Sequence, residues 1–77
     1  MDDEGIHDTI KRLVEEEHSI WSTATASADD HERLRQIGES LDQCWDLLRQ
    51  RAARREAGDD PNAAKSRPVD EVESYLQ

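Results

Sequence analysis

Glu15 and His18 stand three residues apart, an E-x-x-H pair that on one helix would bring a carboxylate and an imidazole to the same metal ion, as helical bundles do when they build di-iron sites. Phase argues against such a site here. At about 100° per residue the apolar stripe of this segment centres near Glu17 and Ala24, Glu15 falls almost opposite that centre, and His18 lies about a quarter turn away. Residues 30–57 offer no second E-x-x-H, and Asp42 and Asp46 lie mainly off the stripe of that segment. Metal binding at Glu15, Glu17 and His18 therefore requires oligomerisation to assemble the ligands. His7 and His18 are eleven residues apart, roughly 16 Å along a helix, so one ion does not reach both. His31 approaches His18 only across a tight turn, and three histidines without cysteine partners read as surface residues. The chain is expected to hold no cofactor.

Glu17 is the one polar residue placed in its stripe. A carboxylate there is costly unless it is paired or reached by water, which leaves two readings: a wet edge position, or a contact that fixes the register of a dimer. Cys44 is the sole cysteine, so no intramolecular disulfide forms. It lies on an apolar stripe beside Trp45 and reads as a small buried side chain. No base is paired to it, and Asp42 and Asp46 raise its pKa, the reverse of what a nucleophile needs. Arg49, Arg51, Arg54 and Arg55 form a basic cluster without interleaved aromatics. With no catalytic residues identified, the chain is read as a non-enzymatic protein.

The elements that position these residues follow from periodicity. Ile6, Ile10, Leu13, Val14, Ile20, Trp21 and Ala24 recur at three and four, which predicts a first helix over about residues 3–26. Ser27, Asp29 and Asp30 offer caps for the next helix. Leu34, Ile37, Leu41, Cys44, Trp45, Leu48 and Ala52 repeat as a coiled-coil seam over about residues 30–57, and Gly58 closes that helix. A short turn makes the two antiparallel. Residues 58–67 read as a polar linker, and Val69, Val72, Tyr75 and Leu76 as the apolar face of a short amphipathic helix over 68–77. That helix is too short to stand alone and must dock on the hairpin, a second copy or a partner. The fold class is thus all-α: an antiparallel two-helix hairpin over 1–57, the linker, and a short C-terminal helix.

Charge fits the hairpin. Residues 1–32 carry ten acidic and two basic side chains, and folding back brings them against the arginine cluster. The net charge of −9 disfavours general binding to nucleic acid or anionic membrane. The acidic start is unlike a secretory signal, and no apolar run spans a bilayer, so the expected location is the cytoplasm. With 34% hydrophobic residues and no phenylalanine, one hairpin buries little, which predicts a homodimer forming a four-helix bundle.

The run LDQCWDLLRQRAAR at residues 41–54 resembles the signature of a small, mainly actinobacterial family, the domain of unknown function numbered 2630. Residues 67–76, RPVDEVESYL, are similar to that family's C-terminal RP-x-x-VV-x-x-YL pattern, and the Ile-x-x-x-Ile-x-x-Leu-Val stretch after the acidic start fits as well. The family's connection near residues 24–30 is longer and glutamate-rich. The resemblance implies a compact helical protein and supplies no catalytic residues. The leading functional expectation is an interaction module that engages an unknown protein partner through Trp21, Leu41, Cys44, Trp45, Leu48, Val72, Tyr75 and Leu76. The alternatives are a metal-binding bundle using carboxylates and His18, and a DNA-associated regulator using residues 49–55.

Overall fold

A computed structural model describes residues 2–22 and 27–76, with Tyr75 and Leu76 described as helix backbone only. Helix α1 spans Asp3–Trp21 and helix α2 spans Ala28–Glu56. A 3-10 turn at Pro61–Ala63 interrupts the linker, and helix α3 spans Val69–Leu76. No strand occurs among the described residues.

The helix ends have local causes. Asp2 caps α1 by accepting from the Gly5 amide at 2.8 Å. Ser27 accepts from the Asp30 amide while Asp30 accepts from the Ser27 amide, both at 3.1 Å, a reciprocal box that starts α2 two residues before the expected position 30. At the other end Gly58 takes φ +79°, a left-handed conformation that glycine adopts without strain. Its amide donates to Arg55 O and that of Asp59 to Arg54 O, so two of the last free carbonyls are satisfied. The first helix is shorter than its periodicity predicts: it closes at Ser22, whose hydroxyl and amide both donate to His18 O. The rest of that expectation, residues 23–26 and with them Ala24, lies outside the described residues.

The chains of contact run through α2. Both α1 and α3 pack on it and, among the described residues, not on each other. Ile6 and Ile10 of α1 and Ile37 of α2 are buried, and on the other flank Val72 of α3 is 1% exposed. The short C-terminal helix thus docks on the hairpin of its own chain. The linker is strapped down rather than loose: Gln50 donates to Lys65 O at 2.9 Å and Gln43 to Arg67 O at 3.0 Å. The result is flat, 49 × 25 × 15 Å across its Cα atoms. No helix among the described residues is long and apolar enough to cross a membrane.

Candidate functional site

The acidic start and the arginine cluster do meet. Arg51, only 5% exposed, bonds Asp3 through Nε and reaches Pro61 O at 3.2 Å and Asn62 Oδ1 at 3.0 Å. Arg55 donates to Asp3 Oδ2 at 2.8 Å. The two guanidiniums hold the Asp3 carboxyl below the usual carboxylate range, chiefly through these hydrogen bonds. The end of the hairpin is therefore tied by a charge-assisted knot that joins α1, α2 and the linker, and two of the four clustered arginines are spent inside the fold.

Near the turn, Arg33 donates to both oxygens of Glu16, from Nε and from Nη2, the latter at 2.7 Å, lowering the Glu16 pKa through the hydrogen bonds. Phase places Glu17 at the centre of the stripe, yet its neighbour Glu16 makes the cross-hairpin pair and Glu17 stays half-buried. An edge carboxylate reaches across a seam more easily than a central one, and that edge position was the available signal. Glu15 and His18 are exposed, and no group of three or more histidine, cysteine or acidic side chains is placed to hold a metal among the described residues.

The far flank of α2 uses charge differently. Asp46, opposite Ile37 on the helix and 5% exposed, accepts from Gln50 at 2.9 Å and pairs with Arg67 at 3.4 Å. Beside it Glu73 of α3 faces Asp42 and Glu39 of α2. Hydrogen bonding to Asp42, then burial, then the charges of Asp42 and Glu39 push the Glu73 carboxyl above its ordinary range. Its Oε1 is buried with no hydrogen-bond partner among the described residues.

Between these flanks lie the two broad faces. One is a cavity of about 300 Å³ lined chiefly by Ile6, Thr9, Leu13, Ser40, Cys44 and Leu47. The half-buried Cys44 thiol is pushed up by burial, the reverse of the shift that activates a nucleophilic cysteine. The other face is aromatic. Trp45 is 50% exposed and leans edge-on against His7, ring centroids 6.3 Å apart. Val14 is 45% exposed and Trp21 67%. Leu34, Leu41, Leu48 and Ala52 are half-buried beside it. Of the residues expected to meet a partner, Trp21, Leu41, Cys44, Trp45 and Leu48 keep accessible surface, while Val72 is consumed by the chain's own core. The side chains of Tyr75 and Leu76 lie outside the described residues.

The profile of a family described as a protein of unknown function, DUF2630, matches residues 2–77. Uncharacterized proteins of Mycobacterium bovis and Mycobacterium tuberculosis, Mb0922c and Rv0898c, are each 44% identical to this chain over 70 residues, covering 86% of it and 80% of themselves. No solved structure matches the chain. The chain belongs to the DUF2630 family.

Proposed function

We propose that this member of the family is a non-enzymatic interaction module, a homodimeric helical bundle that offers its remaining acidic surface to a protein partner. One observation carries the reading: among the described residues only Ile6, Ile10, Ile37 and Val72 are buried apolar side chains, while Trp45, Val14 and Trp21 stand open to water. Apolar side chains left open to water favour a contact, because covering them is worth about 25 cal/mol per Å². The chain's other chemistry is committed elsewhere. Two of its clustered arginines hold Asp3, its thiol is half-buried, and Glu15 and His18 are exposed with no metal-holding group of three around them among the described residues.

Mass in solution by light scattering after size exclusion, with metal analysis of the same peak, tests this. The reading expects twice the 8.8 kDa chain mass and no stoichiometric metal. A monomer at micromolar concentration, or iron or zinc in stoichiometric amount, contradicts it.

A further inference from the structure

The aromatic face holds a residue that the fold of one chain does not use. Gly38 sits inside the 29-residue helix α2, away from either end. Its backbone is helical, unlike that of Gly58, and a Cβ added there would meet nothing within 4 Å. Within one chain, alanine would fit and would stabilise the helix by about 1 kcal/mol. Glycine at such a place leaves a bare strip of backbone, which is useful only where something approaches closely from outside.

Trp45 lies seven residues on, two turns along the same stripe, with half its indole surface exposed. A protruding ring and a bare backbone two turns apart on one stripe are self-complementary under a two-fold rotation, the operation that relates most homodimers. If the axis passes between positions 41 and 42, Trp45 of each copy comes over Gly38 of the other. The contact of Trp45 with His7 fixes the level of α1, so the same axis passes between positions 10 and 11 of that helix. Val14 then meets His7 of the partner subunit. One rotation thus covers Trp45 and Val14, two of the three large exposed apolar side chains among the described residues. The Cα atoms of the whole chain extend 49 × 25 Å along its two longer axes, so a broad side of the molecule has room for the roughly 800 Å² per partner that a stable dimer buries.

We propose that this face is the contact with a second copy of the chain, the two α2 helices antiparallel and each Trp45 seated on the partner's Gly38. The inference rests on the dimeric reading above and adds its register to it. The test is a Gly38→Cys/Trp45→Cys double variant in a Cys44→Ser background, oxidised gently and run without reductant. Within one chain the two cysteines are roughly 10.5 Å apart along the helix, beyond disulfide reach, so any bond between these positions joins two copies. The expected product is a covalent dimer from the double variant and none from either single-cysteine parent. Because the variant removes Trp45, Gly38→Gln is measured alongside it. The seat predicts at least a tenfold rise in the dissociation constant with helical circular dichroism retained. A Gly38→Gln protein that is dimeric with unchanged affinity and a raised melting temperature overturns the register while leaving the dimeric reading intact. A wild-type chain that is monomeric overturns both.

Discussion

On the flank of α2 that faces α1, carboxylates meet arginines: Asp3 with Arg51 and Arg55, and Glu16 with Arg33. On the flank that faces α3, Glu73 meets Asp42 and Glu39. Each flank is anchored by few aliphatic side chains, so charge decides how each responds to conditions. The α1 flank closes by attraction and three buried isoleucines. Among the described side chains, the α3 flank closes on Val72 and the Asp46–Arg67 pair, against a like-charge contact. The difference leads to the expectation that α1–α2 is the folding unit and that the hold of the docked α3 weakens first.

The largest effect that separates the flanks is expected from Ile37→Ala. Emptying this fully buried site should cost about 3 kcal/mol and lower the urea midpoint of the whole molecule. Val72→Ala should cost about 2 kcal/mol, felt mainly as faster amide exchange in α3 with the α1–α2 amides still protected. Equal loss of protection in all three helices would break the distinction and make the chain one cooperative unit.

The smallest effect concerns pH. Asp3 and Glu16 have folded pKa values below their ordinary ones, so their contribution is present above the ordinary carboxylate range and is lost as pH falls through the folded values. Glu73 is shifted the other way. Its protonated form favours the docked α3, a preference present below the ordinary glutamate value and lost as pH rises through the folded one. Mild acid should therefore raise the protection of α3 amides relative to their intrinsic exchange rate at each pH, before stronger acid loosens α1. Glu73→Gln should leave α3 equally protected at neutral and mildly acid pH, and an unchanged pH response in that variant would remove Glu73 from the account.

Much of the fold was legible because it rests on local rules. The three-four spacing of Ile6, Ile10 and Ile37 gave the α1–α2 seam, the Ser27–Asp30 box the start of α2, and Gly58 its end. The second flank of α2 was harder to read. Asp42 and Asp46 lie off the apolar stripe, which in a two-helix reading means solvent. Here it means the surface covered by α3 and the linker, and polar contacts leave no periodic trace. The strapping of the linker by Gln43, Gln50 and Arg51 was likewise hidden, since a side chain bonded to a distant carbonyl has no spacing to betray it. Of the candidate site, the exposure of Glu15 and Trp45 follows from their phase, whereas Gly38 carries no signal in the sequence, because a glycine within a helix looks like a weakness until the space above it is known.

The central claim is that the Trp45 face is covered by a second copy. In a Trp21→Phe variant Trp45 is the sole indole, and its emission followed across a dilution series reports on that face directly. The account predicts blue-shifted emission at high protein concentration that moves to the red on dilution, in step with the fall in mass seen by light scattering. Emission characteristic of a water-exposed indole at every concentration, with the chain dimeric throughout, would contradict it.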